Sequence, residues 1–442
     1  MKVSILFLIT FVLSQESQGA YFSPNDSWMS TPSKGAANSI NAKSIYSLKI
    51  LDEKPTTTYS LDQVLSDPDA LLPEEFRVTP ALKEITKFWL AIYTKYDSKQ
   101  TVVFDETHPE MIYEVLDFHE LEKKSRNRMV YEIVREQRIK KTLAEYQSAF
   151  QSLKRKKYIK KKTAAEQKIL SALSKLGHKH SLKELADNLK IQTGQRDALV
   201  DGLSQWEPFA GKIETIFKAV GVPAELARLS LVESSFNLKA TSKVGAVGVW
   251  QFMESSGKHF LRISPDKGID ERRSPIKSAV AAAKMLKQNY RGLKSWPFAV
   301  IAYNSGMKKI IRNPKTFKND HGLSEVIRLC GGPKGLGWAG KNYFPEFLAM
   351  LHAEKYRNQF FNFAEPKSLQ GVAFITVNSK ESLLQYAVKN GIDAAALMGL
   401  NPDIKSPYQK IPKGTLIAIP DKHDRFQLLL STEFNKQRNH SG

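Results

Sequence analysis

The chain has 442 residues, with 66 Lys and Arg against 45 Asp and Glu, for a formal charge of +21. Apolar residues at 42% and aromatics at 10% are too many for a disordered chain, and a mean hydropathy of −0.36 with one long apolar run excludes a polytopic membrane protein. The single cysteine, Cys330, excludes an intrachain disulfide framework and a multi-cysteine metal site.

The length suits about two to four domains. The charge suits polyanionic surroundings such as nucleic acid, anionic lipid or an acidic wall polymer. Met1 and Lys2 precede the apolar run Val3 to Leu13, and Ser17-Gln18-Gly19 before Ala20 supplies small residues at cleavage spacing. This predicts a secretory signal over residues 1–19, because the apolar run is too short to span about 30 Å of bilayer. An uncleaved N-terminal anchor is the alternative. No cysteine stands near the cleavage point, so the mature chain is expected to be exported, to periplasm or cell envelope, and not lipidated. Export counts against nucleic acid as the main partner.

Residues 20–70 are rich in Ser, Asn, Thr, Pro and Asp and read as an irregular lead-in. Residues 71–204 read as a basic, mostly helical region. Ile85, Phe88, Trp89, Ala91, Ile92 and Tyr93 occupy neighbouring helical faces, Thr101 to Phe104 is a short strand candidate, and Met111 to Leu116 fits strand or helix turn. Met129 to Leu189 predicts Lys/Arg/Glu-rich helices, densest in charge at Lys154-Arg155-Lys156-Lys157 and Lys160-Lys161-Lys162. That cluster is either a grip on a polyanion or a solvated helical face. Apart from Tyr158 it lacks the aromatic interleaving that base stacking uses.

Chemistry concentrates after Gly221-Val222-Pro223, a turn and helix start. In the following helix Leu226, Leu229, Ser230 and Glu233 fall on one face, while Glu225 and Arg228 fall on the polar side. A carboxyl on a leucine face is desolvated, which raises its pKa and keeps it protonated, as a general acid near neutrality requires. A Glu at a helix end that simply reaches water is the bland reading. Gly245-Ala246-Val247-Gly248 then loosens the chain ahead of Trp250-Gln251-Phe252-Met253. Trp250 offers a sugar-stacking face and Gln251 a donor and an acceptor. Ser274-Pro275 starts a helix carrying Ile276, Ala279, Val280, Ala283, Leu286 and Tyr290. Trp296 to Ala302 is apolar all round and ends in Tyr303-Asn304-Ser305-Gly306, a buried helix delivering a phenol and an amide.

Glu-Ser-x-Phe, Gly-x-Trp-Gln-Phe-Met and Ala-Tyr-Asn-x-Gly, in this order, resemble the lytic transglycosylases of the soluble-type (SLT), lysozyme-like superfamily, closest to the membrane-bound lytic murein transglycosylase D group. Asn342-Tyr343-Phe344-Pro345 is similar to that group's Asn-Tyr-x-Pro element. The likeness covers about residues 210 to 350 and implies a lysozyme-like domain over 205–365. It implies Glu233 as catalytic acid/base, with Ser234, Gln251, Tyr303 and Asn304 lining the cleft beside Trp250 and Met253. It also implies cleavage of the β-1,4 bond between N-acetylmuramic acid and N-acetylglucosamine. In the chemistry this resemblance implies, the muramyl 6-hydroxyl is the nucleophile and leaves a 1,6-anhydro ring, so neither a metal nor a cofactor is expected. Two departures stand out: Glu254 where the family usually has proline, and Met307 where it often has glycine or proline. Glu254 and Asp270 are conceivable second carboxylates for a lysozyme-like hydrolase instead.

Phe374 to Val377, Ser382 to Asn390, Ala394 to Leu400 and Ile411 to Pro420 predict a strand-helix-helix-strand unit over 371–420. With Asn401-Pro402 and Pro412-Lys413-Gly414-Thr415-Leu416, it is similar to a LysM domain, a module that binds N-acetylglucosamine-containing glycans. Lys380-Glu381-Ser382-Leu383 stands where that family has Gly-Asp-Thr-Leu, so a purely structural module is the alternative. Residues 421–442 form a polar tail. The whole reads as a mainly α, exported wall enzyme, working as a monomer on peptidoglycan glycan strands without nucleic acid. Its basic charge suits association with the wall or a membrane surface. A non-catalytic wall-binding protein and a basic nucleic-acid binder are the rivals from other classes.

Overall fold

The computed structural model describes residues 59–155, 162–176, 182–311, 336–362 and 371–420. The signal segment, the lead-in up to residue 58, Lys156, Lys157, Lys160 and Lys161 of the charge cluster, Cys330 and the tail from residue 421 lie outside the described residues.

Helix α1 (Leu61–Leu65) starts on a capping box between Ser60 and Gln63, within the stretch expected to be irregular. Helix α2 (Lys83–Thr94) is buried from Phe88 to Thr94, as its nearly unbroken apolar run demands. Strands β1 (Gln100–Asp105) and β2 (Ile112–Asp117) follow, which resolves the Met111–Leu116 ambiguity in favour of a strand. Helices α3 (His119–Lys124), α4 (Arg128–Arg155), α5 (Ala164–Leu176) and α6 (Leu182–Asp187) come next. The helices expected as far as Leu189 stop at Asp187, and Leu189–Thr193 is strand β3. The sheet order is β2-β1-β3, all antiparallel, with Val103 opposite Glu114 on one side and Ile191 on the other.

Because side chains alternate along a strand, the sheet separates two cores. Val102 and Phe104 face the larger one, together with α1, α2 and the residues beyond 196. Val103 faces a smaller one built from Tyr113, Leu116, Phe118, Tyr146 and Phe150. Helix α7 (Arg196–Val220) runs without a break through the boundary expected at residue 205. Its continuity has a clear cause: Leu199, Val200, Leu203, Trp206 and Phe209 continue one buried stripe, and Gly221 caps the helix in the left-handed region at φ 73°. Among the described residues, the larger core draws its buried members from Val64 onward.

Beyond α7 come a 3-10 turn (Ala224–Arg228), the short helices α8 (Leu229–Ser234) and α9 (Glu254–Gly257), and a two-residue ladder between β4 (Ile263–Ser264) and β5 (Ile269–Asp270). Helices α10 (Pro275–Leu293) and α11 (Trp296–Ser305) start on Ser274 and Ser295 caps with proline in the first turn. Helix α12 (Met307–Ile311) and the deeply buried α13 (Gly337–Lys355) complete this part.

The last unit pairs β6 (Val372–Thr376) antiparallel with β9 (Leu416–Pro420). Between them lie α14 (Leu383–Asn390), α15 (Ala394–Leu400) and a short ladder of β7 (Glu381–Ser382) with β8 (Lys410–Ile411). Ser382 forms a capping box with Gln385, so the departure at Lys380 leaves the helix start intact. Buried Asn401 exchanges both amide hydrogen bonds with Ala418, at 2.7 and 2.8 Å, tying the end of α15 to β9.

Candidate active site

Glu233 is held in place by the residues around it in sequence. The stretch that reads as one helix is a 3-10 turn running into α8, and Arg228, expected on the polar side, is buried at the junction. Its Nε and Nη2 donate to Glu354 at 3.1 and 3.3 Å, and its Nη1 donates to Glu214. Two carboxylates around one guanidinium are what permit that burial. Just past Glu233, Ser235 and Phe236 take positive φ of 49° and 52°. The Phe236 ring meets Trp206 edge-on at 5.3 Å. A Cβ on Gly202 would come within 2.4 Å of the Ser235 carbonyl oxygen, so only glycine lets α7 approach this turn.

The Glu233 side chain keeps part of its surface open, yet the protein packed around the carboxyl removes enough water to push its pKa up to about 7. The Tyr343 hydroxyl, from α13, donates to Glu233 Oε1 and partly offsets that rise. Tyr343 itself is fully buried, and desolvation together with the Glu233 charge holds its phenol well above the ordinary range.

The loop of residues 245–253 closes one side. Ser234 Oγ donates to the Val249 carbonyl at 3.0 Å, joining α8 to the loop. Gln251 adopts φ 48° and donates from Nε2 to the Gly248 carbonyl at 2.8 Å. Tyr303 donates to the Trp250 carbonyl at 3.0 Å, and its phenol is raised by burial and by Glu233. Met253 and Asn304 are exposed. Trp250 requires a correction: its ring is completely buried, stacked on Phe217 at 5.4 Å, and presents no face to a sugar. An indole in a glycine-loosened loop fills the core here because Phe217 of α7 offers it an apolar partner. Glu254 is exposed and paired with Lys258 at 2.5 Å, which holds its carboxyl low. Asp270 grips Arg272 through Oδ1 to Nε at 2.9 Å and Oδ2 to Nη2 at 2.8 Å. Both conceivable second carboxylates thus have cationic partners of their own.

The sequence alone signals no role for four residues behind Glu233. Tyr343 stands out only as part of a motif; Glu346, Tyr93 and Trp89 are members of apolar runs. In the fold, α2 lies against α13: Trp89 Nε1 donates to Asn342 Oδ1 at 2.9 Å and the Tyr93 hydroxyl to Glu346 Oε1 at 2.8 Å. Glu346 is buried, and desolvation, aided by the Glu233 charge, pushes its pKa up to about 8. A lone carboxyl inside Phe344–Leu351 is the signal that could have found it. Among the described residues there is no cluster of three or more His, Cys, Asp or Glu side chains able to hold a metal ion. No helix among them is long and apolar enough to cross a membrane.

The chain is similar to "Membrane-bound lytic murein transglycosylase D" of Escherichia coli strain K12, 26% identical over 219 residues that cover 49% of this chain and 47% of that one. The protein of the same name in E. coli O6:H1 gives the same figures. A protein of Alteromonas sp. strain M-1, named for tributyltin chloride resistance, is 33% identical over 115 residues, 26% of this chain and 55% of its own. The chain thus spans about half the length of the relatives it matches. The family model described as "Transglycosylase SLT domain" matches residues 217–323. The matched segment holds Glu233, Ser234, Gln251, Tyr303 and Asn304, while Tyr93, Tyr343 and Glu346 lie outside it.

Proposed function

We propose that this protein is a peptidoglycan lytic transglycosylase. Glu233 in its acid form protonates the glycosidic oxygen between N-acetylmuramic acid and N-acetylglucosamine as the bond to C1 breaks. The resulting carboxylate then takes the proton of the muramyl 6-hydroxyl as O6 closes onto C1. No water is consumed, and Glu233 ends in the form in which it began. What carries this reading is one desolvated carboxyl poised at about 7 beside a phenol donor, while Glu254 and Asp270 are each engaged by a cation. A hydrolytic muramidase uses a second carboxylate. Ser234, Gln251, Tyr303, Asn304 and Met253 shape the sugar site, and Trp250 supports it from beneath. The 371–420 unit is read as a LysM domain binding the same glycan, and the chain as exported to the envelope.

Digestion of purified sacculi tests this. Wild type is expected to release muropeptides with anhydro ends, one water lighter than hydrolytic ends, and Glu233→Gln to lose about 10²–10⁴-fold in rate. Reducing ends would make it a muramidase. Binding without release would make it a wall-binding protein.

A further inference from the structure

We propose that the C-terminal βααβ unit is a fixed brace of the candidate site, and that Asp403 is the positioning residue through which it holds the loop of Gln251 and Met253. This rests on the transglycosylase reading for its kinetic consequence only.

A unit tethered merely to bind glycan would meet the rest of the chain through a polar, wet contact. Here the contact is buried. Asp403 Oδ2 accepts from Lys277 Nζ of α10 at 2.6 Å, with side chains 0% and 6% exposed. Lys277 also donates to the Leu416 carbonyl of β9 at 2.6 Å. Glu271 Oε1 lies a further 3.6 Å from Lys277 Nζ, but separation is still costly, because the fully buried Asp403 would lose its cationic partner. Main chain joins in: Asp270 N–H donates to the Asp403 carbonyl at 2.8 Å, Lys405 N–H to the Gly268 carbonyl at 2.9 Å, and Ile269 bridges Ile404. Arg262 adds a bond to Thr415 Oγ1 at 3.1 Å. Val372 and Phe374 of β6 belong to the same buried core as the α8 leucines.

From Asp270 the contact reaches the site in two steps. Its carboxylate fixes the Arg272 guanidinium in a bidentate pair. Arg272 Nη1 in turn donates to the carbonyls of Gly245 and Phe252, both at 3.3 Å. One guanidinium thus staples both ends of the loop that carries Gln251, and its carboxylate partner sits on a peptide held by Asp403. Gly248 lies flat against the Arg272 carbonyl, where a Cβ would come within 1.9 Å. The docked unit is therefore part of the wall behind the sugar site.

The test uses the full chain and two readouts. In Asp403→Ala, amide exchange across residues 245–253 is expected to speed up roughly tenfold or more as local opening becomes easier. On a short soluble peptidoglycan oligomer, kcat is expected to fall several-fold with little change in KM. Asp403→Asn keeps the shape and the main-chain bonds, and should give a smaller shift of the same sign; it serves if the alanine variant does not fold. Faster exchange confined to 371–420, with the loop and kcat unchanged, would overturn the brace. The exchange readout needs no turnover, so an inactive wild type would refute the proposed function while the brace is still tested.

Discussion

The hydroxyl of Tyr93 donates to Glu346 across 2.8 Å, one helical turn from the phenol of Tyr343 that donates to Glu233. Helix α13 thus presents a phenol to the Glu233 carboxyl and, one turn on, a buried carboxyl to the Tyr93 phenol. Glu346 has a folded-state pKa of about 8 against an ordinary 4.5. A carboxyl raised on folding contributes stability that is fully present below its unfolded pKa and lost as pH rises through its folded one. Glu233, at about 7, acts in the same direction. The protein should therefore lose stability between about pH 5 and pH 9. Glu346→Gln should flatten that decline while leaving stability at pH 5 little changed. Urea midpoints across this range check it; an identical pH slope in wild type and variant would show that Glu346 does not titrate there.

Tyr343→Phe removes the one hydrogen bond that lowers the Glu233 pKa. The carboxyl should then stay protonated to higher pH, so the basic limb of the pH–rate profile moves upward. Turnover should fall by about tenfold, because the carboxyl loses its orienting partner. A profile that does not move would argue against this contact in solution.

Gly245 and Gly248 offer a matched pair, both at positive φ (88° and 78°). A Cβ at Gly245 meets open space, whereas one at Gly248 meets the Arg272 carbonyl. Gly245→Ala should cost about 1–2 kcal/mol, the penalty of a Cβ at positive φ. Gly248→Ala should cost about 2–4 kcal/mol and depress activity further, since backbone on both sides must shift. Denaturant titration of the two variants side by side measures the difference.

Arg228→Met strips the buried Glu354 carboxylate of its main counter-charge. Arg228 now holds that carboxyl below its usual range against the opposing effect of burial. The single change should cost about 3–5 kcal/mol, and adding Glu354→Gln should recover part of it. Additive losses would mean that the two side chains do not interact as placed.

Local patterning makes much of the architecture legible. The boundaries of α14 and α15, the buried run in α11 and the leucine face below Glu233 all follow from periodicity that a short stretch of chain contains. Partnerships across long separations do not show. Tyr343 is 110 residues from Glu233, and Tyr93 is 253 from Glu346; no local pattern encodes which buried phenol meets which carboxyl. Two side chains have surroundings that their type does not reveal, for a related reason. Arg228 is polar by type and buried because Glu214 and Glu354 arrive from elsewhere. Trp250 suits a sugar by chemistry and packs inward because Phe217 is waiting. The break expected at residue 205 rests on where the family likeness starts, and the apolar stripe of α7 continues across it.

The uninterrupted rod from Arg196 to Val220 bears on how this molecule can be cut and recombined. A crossover at residue 205 would sever a helix in mid-turn. Grafting residues 217–323 alone would leave both phenols, Tyr93 and Tyr343, on the donor chain. A transplant that keeps the acid's surroundings must carry separated stretches together: the strip before the sheet, the rod with the segment through Ile311, the helix ending at Lys355, and the docked unit from Val372 to Pro420.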